Sequence, residues 1–254
     1  QYSKCIACFF LFLINYGQSQ PITQGTTICF VRNKDSIIVA AESKVTQSEL
    51  DSRSYISLPD TMNKIRVGNG IFYSIGGTYT YRPTNFDIWT IADSIFAQEG
   101  SFFQLLARFE TVIKVPIESA WNDMLKRNQR VNLDDKFIYI VVGGFYNNIP
   151  VVIEMGFHAK VKLIPHSSLP VAEIEVDQKR FPSLDNDVDG TYWDCISRSN
   201  IRRYDFTDIE YLTESDPTEF LRRVVQRAID ANPRDNGLPI KILCMTRKGI
   251  SWIK

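Results

Sequence analysis

The sequence predicts an α+β protein in which helices cover antiparallel sheets. Apolar, strand-like segments occur in pairs separated by short polar turns, which is the pattern of β-hairpins. Segments with a helical spacing of apolar residues stand between these hairpins and do not alternate singly with strands, so a doubly wound parallel sheet is disfavoured. The chain has 254 residues, 44% of them hydrophobic and 23% charged. That composition is typical of a globular protein with one large core.

The first two hairpins lie in the front third of the chain. Residues 25–31 and 35–44 are strand-like and flank a polar turn, whereas residues 47–63 are mostly polar and predict a loop. A second hairpin is predicted over residues 65–75, because Gly68-Asn69-Gly70 has the composition of a tight turn. Gly76-Gly77 ends its returning strand.

Apolar residues at helical spacing predict helices over residues 86–98 and 102–127. Pro116 lies inside the second of these patterns. Proline has no N–H and clashes with the preceding turn, so we expect two helices there. The dipeptide Asp216-Pro217 is typical of a helix start and predicts a last helix over residues 218–231.

The remaining strands are predicted in the second half of the chain. Residues 136–145 and 149–155 form a third hairpin, and residues 159–164 form a further strand. Residues 165–189 are rich in Pro and Asp and predict an irregular surface excursion. Residues 240–246 and 250–253 form a closing hairpin.

The first residues have the features of a removable leader. Lys4 precedes an uninterrupted apolar run over residues 5–14, and Gly17-Gln18-Ser19 follows with small residues at alternate positions. This order is typical of a secretory signal peptide over residues 1–19, and the run is shorter than the roughly 20 residues that span a bilayer. The alternative is a buried N-terminal strand or helix. We therefore expect a secreted or periplasmic protein.

Charge and cysteine content exclude several classes. The formal net charge is zero, and no basic block indicates nucleic-acid binding. Beyond the leader the chain contains only Cys29, Cys195 and Cys244, an odd number without metal-ligand spacing. Cys29 and Cys244 lie in apolar strand-like runs, so we expect them to be buried free thiols.

Common catalytic motifs are also missing. The two histidines, His158 and His166, lie close together in the sequence, and there is no Gly-x-Ser-x-Gly, His-Glu-x-x-His, P-loop or dinucleotide motif. The sequence therefore predicts no cofactor and no metal. If the protein is an enzyme, its nucleophile does not depend on histidine.

Two motifs in the front third carry a family resemblance. Gly25-Thr26-Thr27 is followed by a strand that ends in Ala40-Ala41-Glu42, and Asn63-Lys64-Ile65 leads into the strand that ends in Gly76-Gly77. Together they resemble proteasome β-type subunits and their bacterial relatives, which are N-terminal-nucleophile (Ntn) hydrolases. Residues 237–252 resemble the closing hairpin of that family. Most members have Asp where this chain has Glu42.

The resemblance implies a fold and a division of the chain. The fold is a four-layer αββα sandwich, in which two antiparallel sheets are flanked by helices. Residues 1–19 are then the signal peptide, residues 20–25 a short propeptide and residues 26–254 the Ntn-hydrolase domain.

The resemblance also implies the roles of the site residues. Cleavage of the Gly25–Thr26 bond frees Thr26, whose hydroxyl is the nucleophile and whose α-amine is its base. Lys64 supplies a cation, Glu42 holds that cation, and the backbone N–H of Gly77 (or of Gly76) binds the oxyanion. Asp235, in the pair Arg234-Asp235, supports the site, although a simple turn residue is an equal alternative. The serine expected after this pair is absent from Asn236-Gly237-Leu238.

The sequence thus predicts a self-processing threonine hydrolase that cleaves peptide or amide bonds. Its expected partner is a peptide or amide substrate, with no nucleic acid and no membrane span in the mature form, and a homo-oligomer stays open. The alternatives are a catalytically inactive, proteasome-like structural or binding subunit and, more remotely, an unrelated exported binding protein.

Overall fold

The computed structural model describes residues 21–24, 26–49, 55–127, 138–162, 171–183, 189–197, 216–233 and 236–253. The strands are β1 (Pro21–Gln24), β2 (Thr27–Arg32), β3 (Ser36–Ala41), β4 (Lys44–Glu49), β5 (Tyr55–Thr61), β6 (Ile65–Gly68), β7 (Ile71–Gly77), β8 (Thr80–Tyr81), β9 (Phe86–Asp87), β10 (Ile138–Tyr146), β11 (Ile149–Lys162), β12 (Val171–Phe181), β13 (Tyr192–Ser197), β14 (Lys241–Thr246) and β15 (Gly249–Ile253). The helices are α1 (Ile88–Phe96), α2 (Phe102–Lys126) and α3 (Pro217–Ala231). Among these described helices, none has the length and apolarity needed to cross a membrane.

The described strands form three five-stranded sheets, and every pairing between neighbours is antiparallel. Sheet I has the order β5-β4-β1-β8-β9. Sheet II has the order β12-β11-β10-β7-β6, and sheet III has the order β13-β2-β3-β14-β15. The predicted antiparallel pairing is therefore confirmed.

Strand β2 is buried along its whole length, because both faces of sheet III are covered. Successive side chains of a strand point to opposite faces. Ile28 and Phe30 accordingly lie in a core shared with sheet II, whereas Cys29 and Val31 lie in a core shared with α3. The uninterrupted apolar run of this strand thus serves two cores at once.

The core between sheets II and III is the centre of the molecule. Phe72, Val141 and Val152 of sheet II share one cluster with Val39 and Leu243 of sheet III. On the other face of sheet II, side chains of α1 and α2 pack with those of β7, β10 and β11. The fold is therefore mixed α and β, built as a sandwich of antiparallel sheets.

The predicted hairpin over residues 65–75 is confirmed as β6 and β7. Its two turn residues, Asn69 and Gly70, have φ angles of 46° and 70°. Positive φ at both central residues matches the right-handed twist of the two strands, and Asn-Gly adopts this conformation at little cost. The closing hairpin is confirmed as β14 and β15.

The prediction of a loop over residues 47–63 is wrong, because β4 and β5 occupy much of this stretch. Strand β4 pairs with β1 and with β5 through its backbone. Strand propensity depends strongly on such neighbours, and a polar sequence without regular alternation does not reveal them.

The irregular excursion predicted over residues 165–189 is also wrong where β12 lies. Ala172 and Ile174 are buried while Glu173 and Glu175 are not, so this strand alternates with the period of 2 that a half-buried strand requires. The further strand predicted over residues 159–164 is not separate, since β11 continues unbroken to Lys162.

Pro116 does not divide its helix, contrary to the prediction. Helix α2 runs continuously from Phe102 to Lys126, with Ile113 and Ile117 fully buried on one side. The missing N–H of Pro116 leaves the carbonyl of Val112 without its helical partner. Val112 is 45% exposed, so that carbonyl lies on the face where water can bind it.

Candidate active site

Thr26 lies at the junction between two sheets, after β1 of sheet I and before β2 of sheet III. Its φ angle is 152°, which is unusual for a β-branched residue and strains the backbone. The side chain is 5% exposed, and its Oγ1 atom has no hydrogen-bond partner among the described residues. A buried, unpartnered hydroxyl at a strained position is a candidate reactive group.

Two consecutive glycines end β7 beside Thr26. A Cβ atom on Gly76 would stand 3.3 Å from Cβ of Thr26, so a larger residue there would require Thr26 to shift. Gly77 follows with a φ angle of 87°. Of the two residues considered for the oxyanion site, the structure thus brings Gly76 into contact with Thr26.

The segment before Thr26 is held on both sides. Strand β1 is the central strand of sheet I, where it pairs with β4 over four residues and with β8 over two. Backbone pairing on both edges fixes the path of the chain up to Gln24. Gly25 lies outside the described residues.

Glu42 and Lys64 form a buried ion pair. Their side chains are 0% and 1% exposed, and Lys64 Nζ donates a hydrogen bond to Glu42 Oε1. The other carboxylate oxygen, Oε2, accepts from the backbone N–H groups of Lys44, at 2.7 Å, and Gly237, at 3.2 Å. Removing one partner of such a pair typically costs about 3–5 kcal/mol of stability, because the remaining charge is left buried.

The surroundings shift the acid–base properties of this pair. Burial raises the pKa of the Glu42 carboxyl above its ordinary value, and the charge of Lys64 opposes that shift. Burial lowers the pKa of the Lys64 ammonium, and Glu42 opposes that shift. Strongly perturbed pKa values of this kind are typical of functional sites.

Backbone contacts connect the ion pair to Thr26. The N–H of Glu42 donates to the carbonyl of Thr27 at 3.4 Å, so the carboxylate follows the strand that begins at the candidate nucleophile. Lys64 is tied to β7, because Ser74 Oγ donates to its carbonyl at 2.6 Å. Contacts therefore join Thr26, Glu42, Lys64 and the Gly76-Gly77 end of β7 into one constellation.

The predicted residue Asp235 and its neighbour Arg234 lie outside the described residues. The next two residues contact the site directly. Asn236 is 2% exposed and accepts a hydrogen bond from Thr27 Oγ1 at 2.9 Å, and Gly237 donates to Glu42. The sequence analysis missed both roles, since neither residue type carries a motif that announces them.

Tyr79 is a third residue near the site that was not predicted from the sequence. It is 3% exposed, and its hydroxyl has no partner among the described residues. Burial and then the charge of Glu42 raise the pKa of this phenol. Ser43 and Thr78, which flank Glu42 and Gly77 in the sequence, also have buried hydroxyls without partners in the described part of the chain. Several buried hydroxyl groups near the site thus have no hydrogen-bond partner among the described residues.

The expectation that Cys29 is a free thiol is wrong. Cys29 and Cys195 lie opposite each other on β2 and β13 and form a disulfide. Their Cα atoms are 4.0 Å apart, a consequence of strand pairing between residues 166 positions apart in the sequence. Cys244 is free and half-buried, and burial raises the pKa of its thiol.

The constellation offers a hydroxyl, a cation and a carboxylate, and no imidazole of the described residues is part of it. His158 lies on β11, where it contacts Glu175, and His166 is outside the described residues. No group of three or more His, Cys, Asp or Glu side chains in the described ranges is placed to hold a metal ion. Such a site suits nucleophilic attack by the hydroxyl, assisted by a nearby positive charge.

Comparison with solved structures gives a structural likeness, whereas comparison with sequences does not. No protein-family model matches the sequence. No curated protein sequence matches it either. A solved structure described as Thiobacillus denitrificans BPH in complex with epoxomicin is similar to the chain with a TM-score of 0.48 and 15% sequence identity. The similarity covers 87% of this chain and 98% of the other.

Proposed function

We propose that the protein is a self-processing hydrolase of the Ntn type, which uses Thr26 as its nucleophile to cleave peptide or amide bonds. The supporting observation is a buried ion pair, Lys64–Glu42, joined by a hydrogen bond to Thr27, which directly follows the strained and unpartnered Thr26. A buried ion pair is weak support for stability, since apolar residues of similar size often do as well. Its presence beside a free hydroxyl therefore favours a chemical role.

Self-processing begins with attack of Thr26 Oγ on the carbonyl carbon of Gly25. The hydroxyl proton passes to the amide nitrogen as the C–N bond breaks, which leaves an ester between Gly25 and Thr26 Oγ. Water then hydrolyses that ester to a Gly25 carboxylate, a free hydroxyl and a free α-amine. The backbone strain at Thr26 favours the first step, because the strained peptide is the one that reacts.

The freed α-amine then acts as the base for later reactions. Its reference pKa is roughly 7.7–8.0, and the positive charge of Lys64 disfavours its protonation. The same charge stabilises the oxyanion that forms when Thr26 Oγ attacks a substrate carbonyl. Backbone N–H groups at Gly76 and Gly77 complete the oxyanion site in this proposal.

The wider assignments belong to the same proposal. In this proposal, sheets II and III are the two inner layers of the Ntn fold. Helices α1 and α2 form one outer layer, and α3 forms the other. Residues 1–19 direct export, and residues 20–25 form the propeptide. The Cys29–Cys195 disulfide supports export, because such bonds persist mainly in oxidising compartments.

The decisive experiment is the intact mass and N-terminal sequence of the folded protein, compared with the variant Thr26→Ala. We expect the wild-type chain to begin at Thr26, and the variant to keep Gly25 joined to residue 26. Thr26→Ser retains a hydroxyl and serves as the matched control, which should be processed.

A wild-type chain that keeps the Gly25–Thr26 bond after folding would contradict the hydrolase and favour an inactive, proteasome-like structural subunit. Cleavage at the same bond in Thr26→Ala would mean that another group or another protease performs it.

A further inference from the structure

We propose that Asn236 and Thr27 are positioning residues, which set the place of the nucleophile relative to the Lys64–Glu42 pair. The inference rests on the proposed function and adds two residues to it. Neither residue contacts the reacting atoms in this scheme. Their effect passes through the backbone of Thr27, which follows the nucleophile directly, and through Gly237, which follows Asn236 directly.

The orientation of the Asn236 side chain is set by its partners. Its Nδ2 atom lies 3.2 Å from the carbonyl oxygen of Ala228 and 3.4 Å from that of Asn232, at the end of α3. Carbonyl oxygens only accept hydrogen bonds, so the amide NH₂ group must face the helix. The acceptor Oδ1 therefore faces Thr27, whose hydroxyl donates to it at 2.9 Å.

This orientation also orders the hydroxyls beside it. Thr27 Oγ1 lies 2.7 Å from Ser197 Oγ on the neighbouring strand β13. A hydroxyl has one proton, and that of Thr27 is used towards Asn236. Ser197 must then donate to Thr27, which gives a chain of hydrogen bonds running from Ser197 through Thr27 to Asn236. Thr27 is 0% exposed, so water does not compete for these bonds.

The residue after Asn236 holds the other half of the site. The N–H of Gly237 donates to Glu42 Oε2 at 3.2 Å, and its carbonyl accepts from the N–H of Ser43 at 3.1 Å. A Cβ atom at Gly237 would stand 3.0 Å from Cδ of Lys44, so a larger residue there would require the Lys44 side chain to shift. Two consecutive residues in the segment after α3 thus bind both strand β2, through Thr27, and the carboxylate of Glu42.

In this proposal these contacts hold the hydroxyl of Thr26 in place relative to the charge of Lys64. Helix α3, which precedes Asn236, packs on sheet III through Phe220, Leu221 and Val224, which are almost fully buried. Displacement of a reacting group by about 1 Å can cost about 100-fold in rate. Loss of the Thr27–Asn236 bond should therefore appear in the reaction rate beyond its effect on folding.

The test measures the rate of Gly25–Thr26 cleavage by intact mass after folding is initiated. Thr27→Val and Asn236→Ala each remove the hydrogen bond, and we expect each to slow cleavage by about 10- to 100-fold. Thr27→Ser keeps the hydroxyl and should restore most of the rate. Because both residues serve one bond, the double variant should be about as slow as the slower single variant.

Asn122 offers a matched control for the loss of an amide bridge. Its side chain joins α2 to Ala172 of β12, through bonds of 2.9 and 3.5 Å, on the far side of sheet II. Asn122→Ala should lower the unfolding temperature and leave the cleavage rate unchanged. Rates are compared at equal fractions of folded protein, measured by circular dichroism.

The outcomes separate this inference from the function on which it rests. A wild-type chain that never cleaves overturns the proposed function. A wild-type chain that cleaves, with Thr27→Val and Asn236→Ala cleaving equally fast, overturns the positioning role alone. If Asn236→Ala does not fold, the comparison of Thr27→Val with Thr27→Ser decides, and equal slowing in both contradicts the role of the hydroxyl.

Discussion

A buried lysine–glutamate pair at the candidate site and a set of ion pairs on β11 and β12 differ in how far their side chains are exposed to water. Lys64 and Glu42 meet at the candidate site with side chains 1% and 0% exposed. Lys160 and Glu175 meet on strands β11 and β12 at 3.0 Å, with side chains 61% and 46% exposed. We call the second set, which also includes Lys162 with Glu173 and His158 with Glu175, the outer ladder.

The comparison shows that these charges carry a desolvation cost only where they are buried. Charges in the outer ladder stay hydrated, so their attraction is screened and adds little to stability. Charges at the site have lost most of their water, and the pair persists because the carboxylate accepts three hydrogen bonds. Fold stability does not explain such a pair, since apolar side chains could fill the same space. The role that we propose for the pair is chemistry next to Thr26.

The largest expected effect comes from breaking the buried pair. Lys64→Met should slow Gly25–Thr26 cleavage by about 1000-fold, because one electrostatic stabiliser of an oxyanion is typically worth about 100- to 1000-fold and the freed Glu42 charge adds to the loss. It should also lower the free energy of unfolding by about 3–5 kcal/mol. Lys160→Met in the outer ladder is the matched control: the cleavage rate should not change, and the unfolding temperature should change only slightly.

The double variant Glu42→Leu/Lys64→Met separates stability from chemistry. Two apolar residues should recover much of the lost stability, as replacements of buried ion pairs often do, without recovering cleavage. Denaturant unfolding and intact mass measure the two quantities on the same sample. A double variant that cleaves at the wild-type rate would remove the chemical role from this pair.

A smaller effect is expected from removing the Cys29–Cys195 disulfide, which joins β2 and β13 of sheet III. Cys29→Ser/Cys195→Ser should lower the free energy of unfolding by about 2–5 kcal/mol, because the disulfide closes a long loop in the unfolded chain. Cys244→Ser, in the same sheet, removes a free thiol and should change stability much less. Equal unfolding midpoints of the oxidised and reduced wild-type protein in denaturant would contradict this prediction.

The smallest expected effect is on the pH dependence of stability, which should have opposite signs for the contributions of Glu42 and Glu175. Burial raises the pKa of Glu42 above its ordinary 4.5, so the stability that this group contributes is fully present below 4.5 and is lost as pH rises through the raised value. The hydrogen bond and charge of Lys160 lower the pKa of Glu175, so its contribution is present above 4.5 and is lost as pH falls through the lowered value.

Thermal unfolding of Glu42→Gln and Glu175→Gln between pH 3 and pH 7 measures these slopes. Relative to Glu42→Gln, the wild-type advantage should grow as pH falls from 7 towards 4.5. Relative to Glu175→Gln, it should shrink as pH falls below 4.5. Parallel slopes for the two variants would mean that burial at Glu42 does not dominate its titration.

Local patterns predicted much of the fold. The hairpin over β6 and β7 followed from Asn69-Gly70, and the start of α3 followed from Asp216, whose side chain accepts from the N–H of Thr218 at 2.8 Å. Patterns failed where long-range pairing decided. Strand β4 is polar and becomes a strand by pairing with β1. Pro116 is tolerated because the carbonyl of Val112, which loses its helical partner, lies on the exposed side of α2.

The candidate site divides in the same way. Thr26, Glu42 and Lys64 were predicted from motifs in the front third of the chain. The structure pairs Glu42 with Lys64, and the catalytic roles of all three residues stay predictions. Asp235 and the oxyanion role of Gly77 stay predictions. Asn236 could not be predicted, because its partner Thr27 is 209 residues away and an asparagine in a turn usually has only a local role.

The sequence alone was enough to predict the strands and helices that have local patterns, such as turn residues and helix starts. Its motifs also pointed to the residues of the proposed chemistry. The tertiary structure alone places β1 at the centre of a sheet, pairs Cys29 with Cys195 and brings the segment after α3 into contact with Thr27 and Glu42. The physical reason is that periodicity and turn chemistry act between neighbours in the chain. Burial of a charge, pairing of two strands and closure of a disulfide act between residues that only folding brings together.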